Sequence, residues 1–342
     1  MQFGGEALLV APDSFKGTFT AAEVTEAIAA GVEAAGGAAD RCPVADGGEG
    51  TMEVLLGALG GERRPAPVHD PLRRPIEASW ALLGDGRTAI VEMAQASGLT
   101  LVAAEERDAE RADTYGTGEL IAAAIGAGAR RVLVAVGGSA TTDGGRGAIE
   151  ALRRSEAAFI LCSPEGGRGA NAEREVAIEV LCDVRAPFEQ AARVFARQKG
   201  ASPEAVERLA ARLDSFAAEL PRDPRGVPMS GCAGGLSGGL WAYGASLQPG
   251  AEFVLDALGF DARLTAAEAV VSGEGRLDRQ SFEGKIVGAI AARCAAAGRP
   301  LHLVVGEDGL EGQRPAGISS VDAAGDLGKI EAAGGELVRL RP

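Results

Sequence analysis

The chain has 342 residues, 46% of them hydrophobic, which exceeds what one core needs, and its net charge of −14 argues against nucleic acid or an anionic membrane as partner. Cysteines at 42, 162, 182, 232 and 294 make no CxxC pair and the histidines are only His69 and His302, so reduced thiols are expected and a histidine-centred metal site is not. No charged and apolar leader precedes Ala7–Ala11, and no apolar run reaches the roughly 18 residues of a membrane span, so a soluble, cytoplasmic protein is expected.

The recurring pattern is a short apolar strand, a glycine-rich polar loop and a helix. Ala7–Ala11 runs into Asp13-Ser14-Phe15-Lys16-Gly17, and Thr20 with Glu23 forms a capping-box signature for a helix from Ala21 to about Ala35. Cys42-Pro43-Val44-Ala45 leads into Asp46-Gly47-Gly48-Glu49-Gly50, ahead of a helix over Thr51–Leu59. Ile76–Leu83 and Arg87–Glu92 read as a hairpin around Gly84-Asp85-Gly86. Arg131–Val136 leads into the loop from Gly137 to Gly145. Ser202 and Pro203 open a helix on which Val206, Leu209, Leu213, Phe216 and Leu220 form an apolar stripe. Ala269–Ser272 leads into Gly273-Glu274-Gly275-Arg276-Leu277-Asp278, and Leu301–Val305 ends at Gly306.

Continuous apolar strands alternating with helices predict an α/β fold, a parallel sheet covered on both faces, with ligands bound beyond the carboxyl ends of the strands. Residues 62–104 and 155–261 differ in character and read as a second domain inserted into one built from 1–61, 105–154 and 262–342.

Four lysines stand among 34 basic residues, and each adjoins a glycine, at Lys16-Gly17, Lys199-Gly200, Gly284-Lys285 and Gly328-Lys329. A compact ammonium beside a backbone that can approach a ligand closely suits phosphate. Lys16 offers the ammonium and Ser14 a hydroxyl ahead of a helix N-terminus, although no GxxxxGK[ST] motif occurs. Asp46 and Glu49, spaced by glycines, suit magnesium or the acceptance of a hydroxyl proton, or simply a turn that caps the next helix. Ser139, Thr141, Thr142 and Asp143 line a phosphate nest or satisfy a turn. Glu274, Arg276, Asp278 and Lys285 interleave carboxylates and cations at one strand end, where a surface salt bridge is the plainer alternative. Lys199 reads equally as plain surface, Lys329 has no role, and both histidines read as structural. Phosphoryl transfer is the first hypothesis. A competing G-x-S-x-G match centres on Ser237, with Asp278 and His302 following in α/β-hydrolase order, but no apolar strand precedes it.

Taken together, APDSFKGTFTAAEV at 11–24, CPVADGGEGTMEVLL at 42–56, AIVEMAQASGL at 89–99, VGGSATTDGG at 136–145, CAGGLSGGL at 232–240 and SGEGRLDRQSFEGK at 272–285 resemble the type I glycerate kinase family, the bacterial glycerate 2-kinase group. DPLRRPIEA at 70–78, YGTGELI at 115–121, CDV at 182–184 and QKGA at 198–201 continue the series in family order.

The resemblance implies a Rossmann-like domain and an inserted α/β domain with an interdomain cleft, and ATP-dependent phosphorylation of D-glycerate with Mg2+ accompanying the nucleotide. By position it implies a site of Asp13, Ser14, Lys16, Asp46, Gly47, Gly48, Glu49, Ser139, Thr141, Thr142, Asp143, Glu274, Arg276 and Asp278, with Lys199 and Lys285 as further cations. Within this set Lys16, Asp46 and Asp278 are the expected catalytic residues, and Asp46, Asp143 and Glu274 the expected magnesium ligands. The chain departs from the family pattern at Arg185–Gln190, at Arg197 and in a shortened stretch from Glu150 to Ala177. A nucleotide- or metabolite-binding sensor of the same fold that has lost turnover is the alternative those departures leave open.

Overall fold

The structure, a computed structural model, describes residues 7–161, 176–282, 284–310 and 317–339. The chain divides into two compact units, Met1–Asp46 with Ala251–Pro342, and Gly47–Gly250.

The first unit is built on a five-stranded sheet in the order Ile318–Ala323, Leu301–Val305, Ala269–Gly273, Leu8–Pro12, Ala39–Arg41. Every neighbouring pair is parallel. Side chains alternate between the faces, as strand geometry requires. Leu9, Val270, Leu303 and Val305 pack with Phe260, Leu264, Val287 and Ile290 on one face. Leu8, Val10, Val271 and Val304 pack on the other with Val24, Ile28 and Val32 of helix Ala21–Ala34 and Ile330 and Leu337 of helix Leu327–Arg339. Both faces are covered, which explains why the central strands read as unbroken apolar runs. The capping box forms as the spacing predicts: Thr20 Oγ1 accepts from Glu23 N at 3.2 Å and Glu23 Oε2 accepts from Thr20 N at 2.8 Å.

The second unit holds a six-stranded mixed sheet in the order Gly61–His69, Pro75–Leu83, Thr88–Glu92, Arg131–Ala135, Ala177–Cys182, Ser246–Pro249. The first three strands are joined antiparallel and the remainder run parallel. The expected hairpin forms, its turn held by Asp85, whose carboxylate accepts from the N–H of Arg87 and Thr88 and from the Thr88 hydroxyl. Strand Gly61–His69 escapes the sequence pattern because it carries Pro65 and Pro67, and it is tolerated because it lies at the sheet edge. Val91, Val134 and Val180 pack with Leu120, Ile121 and Leu152 of the covering helices. The stripe of helix Pro203–Glu219 meets Phe188 and Ile149 in a satellite core.

This division differs from the expected boundaries. The sequence pattern places residues 47–61 and 105–154 in the first domain, yet strand Arg131–Ala135 pairs with Thr88–Glu92 and Ala177–Cys182 inside the second unit. The segment 251–261 goes the other way: Ala251, Leu255 and Phe260 are buried in the core of the first unit. A strand, loop and helix have one local pattern whichever sheet they join, so only non-local pairing decides membership.

Candidate active site

In the first unit, the loops after four neighbouring strands meet. Phe15, 3% exposed, is anchored in the core, and its backbone exchanges hydrogen bonds with Phe19, which lifts Lys16 and Gly17 into a tight turn. Gly17 has φ +80°, a left-handed conformation that favours glycine. Val44 N donates to Pro12 O at 3.1 Å, so residues 42–46 run beside the first strand and bring Asp46 to the same place. Lys16 Nζ lies 3.0 Å from Asp46 Oδ2; the lysine is half-exposed and the carboxylate buried. The Glu274–Gly275 loop is tied to the end of the Leu301–Val305 strand: Gly306 N donates to Glu274 O and Glu307 N to Gly275 O. A side chain at Gly273 would overlap the Val304 carbonyl oxygen, so the two loops cohere only with glycine there.

Around these loops is a cavity of about 540 Å3, lined by Asp13, Ser14, Lys16, Asp46, Glu274, Arg276, Asp278 and Lys285 among others. That volume falls within the roughly 300–1,000 Å3 of small-molecule sites. A larger cavity of about 670 Å3 in the second unit is lined by Arg74, Arg107, Glu105 and Glu110 and holds none of the expected phosphate-binding or catalytic residues. Chemistry therefore favours the smaller one.

The electrostatics of this cavity are strained by carboxylate crowding. Asp13 is 4% exposed, and burial first, then the charge of Asp46, pushes its pKa up to about 8 against the opposing pull of Lys16 and the Ser14 N–H, with Glu274 adding to the rise. Burial also raises Glu274, while Ser281, Lys285 and Lys16 act in the other direction. Glu274 Oε1 is buried with no hydrogen-bond partner among the described residues. Asp278 is partly committed, its Oδ1 accepting from Gln280 N at 2.8 Å. Lys285 stands at the start of helix Ile286–Ala297, whose first N–H groups have no intrahelical partner.

The remaining expected residues lie in the second unit. Gly47, Gly48 and Glu49 pack on Gly137 and Gly138: Val136 N donates to Gly47 O, and a side chain at Gly137 would press on Gly48 Cα. Ser139 Oγ accepts from Thr141 N at 3.1 Å. Thr142 Oγ1 is buried without a partner among the described residues. Lys199 is 3% exposed, not plain surface; its Nζ donates to Ser139 Oγ at 3.0 Å and to Thr141 O at 2.6 Å.

Asp143, an expected magnesium ligand, has both carboxylate oxygens engaged within the second unit. Its Oδ2 accepts from Thr114 N at 3.0 Å, Thr114 Oγ1 at 2.8 Å and Gly147 N at 2.9 Å, and its Oδ1 from Gly145 N at 3.1 Å. Those bonds cap helix Arg146–Arg154, whose N-terminal Gly145 has no side chain to do so. The hydrolase alternative also fails. The Ser237 hydroxyl is buried and donates to the backbone carbonyls of Met229 and Cys232, and His302 Nδ1 lies 2.9 Å from Ser320 Oγ.

Two residues outside the expected set matter. Glu92 is 3% exposed and accepts from Met52 N at 2.8 Å, capping helix Thr51–Leu59 just after Glu49. Its signal was an acid at the end of the apolar run Ala89–Val91. Asp183 directly follows strand Ala177–Cys182 and its charge is felt by Lys199. The rule that acids after apolar strands mark ligand loops would have found it.

Comparison with known proteins gives the family. A family model described as the glycerate kinase family matches residues 8–157 and 167–329. The chain is 39% identical to glycerate 2-kinase of Escherichia coli (strain K12) over 307 residues, 82% of this chain and 79% of that protein. It is 41% identical to glycerate kinase of Bacillus subtilis (strain 168) over 301 residues, 81% of this chain and 79% of the relative. A crystal structure of "putative glycerate kinase 2 from Salmonella typhimurium LT2" superposes with a TM-score of 0.81 at 31% identity, covering 98% of each chain. Fold, sequence and the conjunction of lysine with buried carboxylates therefore lead to one assignment: this chain is a kinase belonging to the glycerate kinase family.

Proposed function

We propose that this chain transfers the γ-phosphoryl group of ATP to a hydroxyl of D-glycerate in the cytoplasm, with 2-phosphoglycerate the favoured product. The observation that carries the reading is the cavity of the first unit, where Lys16, Arg276 and Lys285 face Asp13, Asp46, Glu274 and Asp278. The naming of the Escherichia coli relative as a glycerate 2-kinase supports the choice of product.

Phosphoryl transfer needs charge neutralisation and alignment more than covalent help. Lys16, held by Asp46 at 3.0 Å, presents an ammonium to the transferring group. Asp46 or Asp278 is the carboxylate that orients the attacking hydroxyl and takes its proton. Burial and the charge of Asp46 hold the Asp13 pKa up near 8, so a cation entering the cavity would favour its ionised form.

The residues fit a divalent cation brought by the nucleotide. Among the described residues no three His, Cys, Asp or Glu side chains are arranged to hold a metal by themselves, but Asp13 and Glu274 are carboxylates whose burial begs for positive charge, and one Glu274 oxygen is unpartnered. Magnesium is held in this fashion, by one or two carboxylates together with substrate phosphates. Bound there, it supplies electrostatic stabilisation of the phosphate oxygens.

The test is ADP release from ATP in the presence of D-glycerate, with the phosphorylated hydroxyl located by 31P and 13C NMR. Product carrying phosphate on the 2-hydroxyl supports the proposal. ATP binding without glycerate-dependent ADP release would overturn it in favour of a sensor.

A further inference from the structure

The second unit holds a cavity of about 670 Å3 that the phosphoryl chemistry above does not use. It is lined by residues 105–111 and by Gly200, Ala201 and Ser202, which open helix Pro203–Glu219. Arg107 stands against that opening: a Cβ on Gly200 would lie 3.0 Å from Arg107 Cβ. The Nε of Arg107 is buried and has no hydrogen-bond partner among the described residues. The acids around it are engaged elsewhere or face water. Glu106 accepts from Arg74 at 3.0 Å, Glu110 accepts from Arg208 at 2.8 and 2.7 Å, and Asp108 Oδ1 accepts from the N–H groups of Glu110 and Arg111. Glu105 is exposed. Arg111, also exposed, lines the cavity and makes no ion pair among the described residues.

We propose that this cavity is a binding site for a small phosphate-bearing dianion, seated on Arg107 with Arg111 as the second cation. The site is independent of the glycerate kinase reading, because none of the residues assigned to phosphoryl transfer lines it. A guanidinium is always charged and presents its donors as a rigid fork, so a buried Nε that the protein leaves unmet calls for an oxyanion. Charge-assisted hydrogen bonds of this kind are the strong ones. Helix Pro203–Glu219 adds the positive end of its dipole, since Ser202 and Ala205 belong to the same wall. Asp108 and Glu105 oppose an anion, but solvent screens the exposed Glu105 and two N–H donors offset Asp108. Phosphate suits the place better than a single carboxylate does: its three oxygens can meet Arg107 and a further donor together, and its double charge balances two arginines. The volume leaves room for an organic group on that phosphate.

Inorganic phosphate is the probe, with chloride at equal ionic strength as the control. Calorimetric titration should show phosphate binding to wild type that weakens by at least about tenfold in Arg107→Met and stays within about twofold in Lys16→Ala. The opposite pattern, equal binding by all three proteins, or no binding would overturn the site. Without phosphate, Arg107→Met should unfold in urea at the wild-type midpoint or above it, because the unmet donor is gone. A lower midpoint marks Arg107 as structural and rejects the proposal. The wild-type chain supplies a further measurement, in case the variant does not fold: phosphate should slow phenylglyoxal modification of Arg107 and Arg111 by at least about threefold, read by peptide mass mapping. No protection at these two arginines sinks the site, and protection by malonate but not by phosphate rejects phosphate as its ligand.

Discussion

Lys16 and Asp46 lie thirty positions apart in sequence and 3.0 Å apart in space. The pairing is asymmetric: the Lys16 side chain is 56% exposed and that of Asp46 only 3%. A pair so open on one side contributes little to stability, so its location points to chemistry.

Lys16→Ala should therefore cost catalysis and not the fold. We expect kcat to fall by about 10²–10³, the usual loss when one group aimed at transition-state charge is removed, with the denaturation midpoint nearly unchanged. Steady-state kinetics beside a urea titration checks both halves, and full activity in the folded variant would remove Lys16 from the mechanism.

Asp13 provides a pH test with a definite sign. Its folded pKa of about 8 lies above the ordinary 3.8, so between those values the native state binds more protons than the unfolded one. Stability from this group is present at low pH and is lost as pH rises toward 8. Asp13→Asn, which keeps an oxygen for the Ser14 N–H, should remove that loss. The variant should be more stable than wild type by on the order of a few kcal/mol at pH 8, with the gap closing near pH 4. Urea midpoints across that range decide it, and a constant gap would show that the aspartate is not the titrating group.

Asp143 should behave oppositely to Lys16. Removing it leaves Thr114, Gly145 and Gly147 donors facing nothing, so Asp143→Ala should destabilise by at least about 3 kcal/mol. If Asp143→Ala melts like wild type and loses only its magnesium dependence, the capping role is wrong.

Ser237→Ala should retain kinase turnover, because among the described residues its hydroxyl bonds to the Met229 and Cys232 carbonyls alone. A stability loss of about 1 kcal/mol is expected from those bonds. Abolished turnover in a folded variant would contradict this.

Much of the molecule was legible in the residues. Thr20 and Glu23 announced a helix start because a capping box is a contact between neighbours, and Ser202 with Pro203 did the same for helix Pro203–Glu219. The loops carrying Lys16, Asp46 and Glu274 stood out because a strand feeding a glycine-rich polar turn has a local signature. Asp143 and Glu92 were harder. A carboxylate in a glycine loop, such as the first, looks the same in sequence whether it faces solvent or caps a helix, and the second lies hidden at the end of an apolar strand.

Sequence alone thus determined strand, loop and helix identity and the family, since backbone geometry and side-chain periodicity act over a few residues and motif order is linear. Which sheet each strand joined, whether Lys199 was surface or buried, and which carboxylates were still free to act were decided only by tertiary structure. Those properties depend on partners tens to hundreds of residues away, and desolvation of a charge does not exist until the chain has folded around it.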